Sequence, residues 1–517
     1  LGAAKVSGKI GETSVGGLTA CTAREKAELE YQGDRFDQVV EPFANYSVIR
    51  AKTTRDEGLK GLGVMLTHTA RDLDDPVSQA VLDRRALTGG VDGWLNLDED
   101  GVWALQGYLA GSHLTGSKEA IFDLQTSSRH YFQRPDADHV DLDSEATRLD
   151  GWQGRVAVNK QSGAWKLNSG LGYSSPGYDV NDLGFMYRTD MINYSLVGGY
   201  RWLEPNSLFR NRTAYLAAYR TWDTGGTPDG GGFGAWYFAS FANYWSLDTY
   251  CFYNPETNDV RSTRGGPRMR TSANREINVS LCTDYRKSWV ACADLFYGGT
   301  EVGNRTLDGG LSLEVKPASN LSLEVGPRYR WEKTDAQYHA IVEDPLMTTT
   351  YGSRYIFSDM NYRQVSLESR IDWTFTPKLT LQAYVQPLMA MGDYSRPKEL
   401  ARPGTRDFNV YGEDGDSWVV YRPDLDPANP WIVTPDAADP ANYFTLPERD
   451  FNFKSMKVNM VLRWEYGPGS TFYFVWTQDR VNFDNPGSFD PSRDTRALLD
   501  APGENIFMMK LTKYFSL

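Results

Sequence analysis

"SLESRIDWTFTPKLTLQAYVQP", residues 366–387, alternates almost without interruption on both sides of a Thr-Pro-Lys turn. Val365, Leu367, Ile371, Trp373 and Phe375 fall on one parity, and Ser366, Glu368, Arg370, Asp372 and Thr374 on the other. Beyond the turn, Leu379, Leu381, Ala383 and Val385 alternate with Thr380, Gln382 and Tyr384. Successive side chains of a strand point to opposite faces, so the stretch reads as a hairpin with one apolar and one charged face. The fold turns on what the apolar face touches.

Other hairpins repeat the pattern. In "GWQGRVAVNKQSGAWKLNSGLGY" (151–173), Trp152, Val156, Val158, Trp165, Leu167, Leu171 and Tyr173 oppose Gln153, Arg155, Asn159, Lys166 and Asn168. In "LSLEVKPASNLSLEVGPRYRW" (311–331), Leu311, Leu313, Val315, Leu321, Leu323, Val325, Tyr329 and Trp331 oppose Ser312, Glu314, Ser322, Glu324, Arg328 and Arg330. Tight reversals rich in Gly, Pro, Asn, Asp and Ser separate such segments: "KIGET" near 11, "TRDEG" near 56, "DEDG" at 98–101, "KQSG" at 160–163 and "LEPN" at 203–206. The series continues with "NYWS" near 244, "YRKSW" at 285–289, "KPASN" at 316–320, "TPK" at 376–378 and "YGPGS" at 466–470. Between them run longer polar loops, at roughly 25–42, 72–83, 116–149, 175–184, 222–231, 255–273, 336–351, 393–450 and 481–504. Short turns at one end and long loops at the other is the layout of an outer-membrane β-barrel, with turns in the periplasm and loops outside.

Composition narrows the choice. Aromatics are 13% of 517 residues, with 30 Tyr and 15 Trp, yet no apolar run of about 18 residues exists, which excludes a helical membrane protein. A net charge of -13 argues against nucleic acid as a partner. Four Cys and the five His (His68, His113, His130, His139, His339) form no metal-binding spacing. A large soluble sandwich or propeller is the competing fold. It has no reason to segregate turns from loops, and Glu368, Arg370 and Asp372 would be costly in a packed core. The apolar parity therefore faces lipid and the charged parity a lumen.

The expected fold is all-β: one large transmembrane antiparallel barrel of about 20–26 strands, with 1–517 as a single barrel domain and 393–450 as a loop or plug candidate. About 21 strands of roughly ten residues are countable in the chain. The opening "LGAAKVSGKIGE" starts directly in strand-like sequence, and "NIFMMKLTKYFSL" supplies an aromatic-rich last strand with Tyr514, Phe515 and Leu517. An odd count places the two ends on opposite sides, whereas bacterial single-chain barrels keep both inside. At least one strand, from an upstream fragment or a companion chain, is expected to complete the wall.

Several long stretches are also familiar. "LGAAKVSGKIGETSVGGLTACTARE", "HYFQRPDADHV", "SSPGYDVNDLGFMYRTD", "TRGGPRM", "RIDWTFTPKLTLQAYVQPLMAMGDY" and "VLRWEYGPGSTFYFVWTQDR" resemble the barrel of the outer-membrane family called domain of unknown function 5916, from one end of the chain to the other. The resemblance implies a barrel that is usually preceded by a carbohydrate-binding-family-9-like domain, absent here. It carries no catalytic residues over.

Candidate sites are few. "RSTRGGPRMR" places Arg261, Arg264, Arg268 and Arg270 in one loop. They could grip carboxylated sugars, lipopolysaccharide phosphates or an acidic partner, or fold inward and pair with acidic wall residues. Asp136, Asp138, Asp141 and Asp143, and Glu413, Asp414 and Asp416, offer oxygens for loosely held Ca²⁺, but neither stretch matches an EF-hand. If Tyr285 and Trp289 flank a tight turn, Cys282 stands across from Cys292, within reach of a disulfide; two free thiols are the alternative. Cys21 and Cys251 have no evident partners. "DGGGFG" lacks the Lys of a phosphate loop. With no catalytic constellation in view, the expectation is a non-enzyme without a resident cofactor or metal. Its lumen would be lined by Arg155, Lys166, Glu314, Glu324, Arg328, Glu368, Arg370, Asp372, Arg463 and Glu465. It would pass or capture polar solutes such as oligosaccharides, in contact with outer-membrane lipid and lipopolysaccharide. The alternative is a non-transporting scaffold that anchors other outer-membrane or periplasmic proteins.

Overall fold

The computed structural model describes residues 2–31 and 33–514, so Phe515 and Leu517 lie outside the described residues. Among the described residues, the alternating segments form one antiparallel sheet of twenty-two strands, each paired with its neighbour in chain order. One of these, the three-residue Phe408–Val410, only extends the end of Leu379–Leu400, which leaves twenty-one wall strands. No helix among the described residues is long and apolar enough to cross a membrane.

Ten connections at one end are short: 11–12, 56–59, 97–102, 161–164, 203–208, 242–245, 283–288, 319–320, 377–378 and 468–469. Each coincides with a turn read from the sequence. The other end carries the long loops, with two exceptions, 223–227 and 301–304.

Register carries the alternation from strand to strand. Val315, Leu323, Ile371, Ala383, Met460, Trp476 and Phe507 form one continuous apolar row. Next to it, Glu314, Glu324, Arg370, Tyr384, Asn459 and Thr477 form a polar row. The apolar face is bare: Leu311 is 61% exposed, Leu216 70% and Met509 70%. Nothing packs on it, because the three buried apolar clusters among the described residues all sit at the loop end. A continuous bare apolar band backed by a polar face defines a transmembrane β-barrel wall, since lipid covers the band and the ladder satisfies the backbone. Near the turns, Trp165, Tyr200 and Trp202 meet edge to face, and Arg212 stacks over Trp202, as rings do at a membrane boundary.

Three strands depart from the expectation. Leu321–Glu343, Ser353–Thr376 and Leu379–Leu400 run 23, 24 and 22 residues, about twice the roughly 10 needed to span lipid. The first half of the loop expected at 336–351 is therefore strand, and the loop expected at 393–450 starts after Leu400. The alternation signal fails there because both faces of the projecting blade are covered. Tyr355, Ile356 and Phe357 are consecutive and all buried. Tyr355 and Phe357 pack with Met269 and Leu400, while Ile356 packs with Tyr411, Val433 and Leu446 of the 401–450 segment.

Among the described residues the ladder has two free edges. Gly2–Ile10 pairs only with Thr13–Thr22, and Gly503–Thr512 only with Ser470–Asp484.

Replacing Leu311, at the middle of its strand, by Arg is expected to cost about 2–4 kcal/mol of folding stability in lipid vesicles. Ser312→Arg, one residue on and facing the other way, should cost far less. Urea unfolding in vesicles checks the contrast, and equal costs would refute the assignment of faces.

Candidate functional site

The polar face is held by pairs within the wall. Arg328 reaches Asp294 (3.0 Å) and Asp308 (2.7 Å) on the two preceding strands. Arg50 grips both carboxylate oxygens of Asp92 across an intervening strand. Glu314 takes Lys316 at 3.0 Å and the Ser322 hydroxyl at 2.8 Å, and Glu324 accepts from Ser312. Arg463 pairs with Glu465, Glu368 accepts from Gln386 with Arg370 at 3.9 Å, and Asp372 accepts from Gln382. Arg155 donates to Asn193, and Lys166 to the Gln161 carbonyl. All ten charged positions read as lumen-lining thus lie on the polar parity, and all but Lys166, which reaches a turn carbonyl, have side-chain partners on it.

Glycines shape this face. A Cβ on Gly61 would lie 2.1 Å from the Trp94 ring, one on Gly199 2.2 Å from Tyr215, and one on Gly234 2.5 Å from Phe252. On Gly170 it would strike Arg155 at 2.5 Å. Long side chains from neighbouring strands therefore lie down over bare backbone.

At the loop end, segments from distant strands interlock. Arg261 donates to the carbonyls of Ser128 (2.7 Å) and Tyr187 (3.4 Å), and its guanidinium sits over Tyr131. The Arg268 amide donates to Asp136 at 2.7 Å. Arg264 stacks on Tyr338 at 3.8 Å, and Tyr355 lies where a Cβ of Gly266 would be. The Arg268 carbonyl accepts from Gly404, the Arg270 amide donates to Thr405, and the Arg270 side chain pairs with Glu256. The loop after Trp103–Thr115 therefore touches, through 261–268, the tip of the Leu321–Glu343 hairpin. From Arg148–Lys160 to that hairpin is nine steps of the ladder, roughly 43 Å of wall at the usual strand spacing. The loops meet above the opening and roof it. All four arginines of the cluster are engaged within this roof.

The roof hides charged groups that are far apart in sequence. His130, fully buried, contacts Asp179 through Nε2 (3.1 Å) and Thr189 through Nδ1 (3.1 Å). This Thr-His-Asp trio is closed to solvent, with Thr189 only 2% exposed and its hydroxyl placed against the Arg129 and Pro176 carbonyls. It ties loops together. Burial would raise the Asp179 carboxyl, but the bonds from His130 and the Asn181 amide, with Arg129 nearby, outweigh it and hold the group low. His139, Asp190 and Asp223 bring ligand atoms within 4.8 Å of one another, but Arg134 already lies 3.3 Å from Asp190 and 3.6 Å from Asp223. Burial again opposes ionisation of Asp190, and the Thr224 hydroxyl and amide, His139 and Arg134 overcome it. Arg71 spans Asp83 (2.8 Å) and Asp182 (2.5 Å) and so latches the 72–84 loop to the 175–190 loop. Burial, reinforced by the charge of Asp182, pushes Asp83 up to about 6.

The acidic stretches do not converge. Asp136 serves Arg268, Asp143 caps the Glu145 amide, Glu413 takes both prongs of Arg396, and Asp414 accepts from Val410. Asp138, Asp141 and Asp416 add no ligand atom to a common centre. Cys282 faces Cys292 in adjacent strands and is bonded to it, with Cα atoms 4.1 Å apart. Cys21 and Cys251 are free.

The topology, the bare apolar band and the paired polar face define a large antiparallel transmembrane β-barrel. The chain belongs to the family described as "Domain of unknown function (DUF5916)", whose pattern matches residues 115–516. No curated protein matches it. Among solved structures it is similar to the outer membrane transporter YddB from Escherichia coli (9% identity, TM-score 0.43, covering 98% of this chain and 74% of that one). It is also similar to the FrpB iron transporter from Neisseria meningitidis (8%, 0.41, 92% and 74%). A third is a BenF-like porin from Pseudomonas fluorescens Pf-5 (12%, 0.34, 98% and 99%).

Two outcomes are expected. The denatured, unreduced chain should take up two maleimides, against four after reduction, as read by intact mass. Asp83 is raised when folded, so between its unfolded value of 3.8 and about 6 the folded state holds the extra proton. Stability should therefore fall as pH rises through that window. Asp83→Asn should flatten the slope between about pH 4 and about pH 6 in thermal unfolding.

Proposed function

We propose that the protein is an outer-membrane channel or uptake component for polar solutes, with the paired polar face as its lumen, turns in the periplasm and loops outside. The observation that carries this reading is the polar face itself. A wall whose interior sets Arg328 between Asp294 and Asp308, and Arg50 against Asp92, holds charges of both signs in contact with one another and encloses water at low electrostatic cost. A scaffold would gain nothing from so many mixed charges held open on glycine-backed positions.

The interlocked loops favour a second reading in one respect. A roof this densely bonded suits a barrel that stays shut and anchors other proteins. Planar-bilayer conductance separates the two. The wild-type protein should conduct weakly, and replacing 129–139 with a short Gly-Ser linker should raise conductance several-fold by unroofing the mouth. No conductance with or without the loop would leave the scaffold reading standing.

The wall also needs closing. Twenty-one alternating strands leave the first and last parallel, so an antiparallel closure takes an odd number of further strands, added to the Gly2–Ile10 and Gly503–Thr512 edges. Upstream polypeptide is the proposed source. Limited proteolysis of the assembled barrel followed by intact mass should retain such a segment with the wall. A folded wall with nothing else bound would refute the closure.

A further inference from the structure

On the polar face, aromatic side chains gather on three neighbouring strands. Strands Phe209–Trp222, Pro228–Phe241 and Ser246–Asn254 place Tyr215, Trp236 and Tyr250 in a single register row. The row continues through Asn278, Phe296 and Asp308 on the next three strands. Phe252 stands two residues from Tyr250 on the same parity, opposite Gly234 and Glu276. The other parity of these strands carries Leu216, Phe233 and Leu295, 70%, 61% and 52% exposed, which are lipid-facing. The aromatic tract therefore lies on the side that holds Asp308 and Arg330, which face each other in the same row.

These rings have no duty at the membrane boundary, because they point away from lipid. Trp236, Phe252 and Tyr250 form a connected cluster instead, with Tyr215 beside Trp236 in the register row. Trp236 and Phe252 meet at 4.9 Å and 87°, and Tyr250 and Phe252 at 5.7 Å and 73°. Gly199 and Gly234 put no side chain beneath Tyr215 and Phe252, so one side of each ring rests against the wall and the other is left toward the interior. Tyr215, Trp236, Tyr250 and Phe252 are each half-buried, as are Glu276 and Asn278 beside them.

The surface selects by chemistry. Aromatic faces carry negative quadrupole density and attract polarised C–H groups. A pyranose ring offers a flat face of such groups with hydroxyls around its edge, and those hydroxyls need donors and acceptors such as Asn278 and Glu276. Small inorganic ions gain nothing from Tyr or Phe faces while hydrated, and a strongly anionic solute finds Arg328 and Arg330 already paired. The geometry points to a saccharide chain as the solute, held by stacking on the Tyr215, Trp236, Tyr250 and Phe252 tract. This inference rests on the lumen reading above and gives it a substrate class and a contact site.

Maltohexaose added to the full-length protein in a planar bilayer tests it. The neutral sugar should interrupt potassium conductance, with residence times that lengthen from maltotriose to maltohexaose. Trp236→Ala should shorten them about tenfold, the loss of one good stacking contact, whereas Trp236→Phe should keep most of the effect. A conducting wild type that no sugar interrupts, or an Ala variant interrupted equally well, overturns the saccharide site and leaves passage intact. If the wild type does not conduct, passage fails, and quenching of Trp fluorescence by maltohexaose in detergent decides the site alone. Quenching that Trp236→Ala weakens supports it, and no quenching overturns it. Heat-modified gel mobility confirms that each variant is folded.

Discussion

Everything in this molecule follows from the requirement that no backbone amide or carbonyl be left unpaired in hydrocarbon. Strand-to-strand bonding in chain order meets it for the wall, and this is why the sheet is a simple meander from Gly2–Ile10 to Gly503–Thr512. The same requirement gives the two outer edges their significance. Each would present a full row of unpaired groups to lipid, the one environment that cannot satisfy them. With the backbone settled in this way, side chains are free to be sorted by medium: Leu, Val and Trp to lipid, Arg, Glu and Asn to water.

The charges on the wet side are arranged locally. Arg328 holds two aspartates from different strands, and Glu314 and Glu324, directly opposite each other, are separated electrostatically by Lys316, Ser322 and Ser312. In the roof the same logic operates with less water. The carboxyls of Asp179 and Asp190 are held below the usual carboxylate range there, against the effect of burial, by the several donors that converge on each. Asp83, with Asp182 beside it and one guanidinium between them, is the member that pays for the shortage.

How much of this could be read from the sequence depended on whether a segment met one medium per face. Residues 366–387 and 311–331 do, and their strands, turns and faces follow directly from alternation. That Cys282 faces Cys292 was legible because only six residues, 283–288, separate the two strands, while the choice between a disulfide and two free thiols was not. Where a strand leaves the membrane and is covered on both sides, as at Tyr355, Ile356 and Phe357, the alternation disappears and strand resembles loop. The roof was invisible for another reason. His130 and Asp179 are 49 residues apart, and Arg261 and Ser128 are 133 apart, separations over which no local pattern operates. The aromatic tract was hidden by the register: Tyr215, Trp236 and Tyr250 come together only when three strands are aligned.

The missing β-carbons at Gly199 and Gly234 determine how far Tyr215 and Phe252 stand off the wall. A methyl group at either place would tip a ring inward by an ångström or more, narrowing the bore and turning a stacking face into an edge. On the proposed saccharide site, calibre and grip would then be adjustable one atom at a time, by changes in residues that never touch the solute.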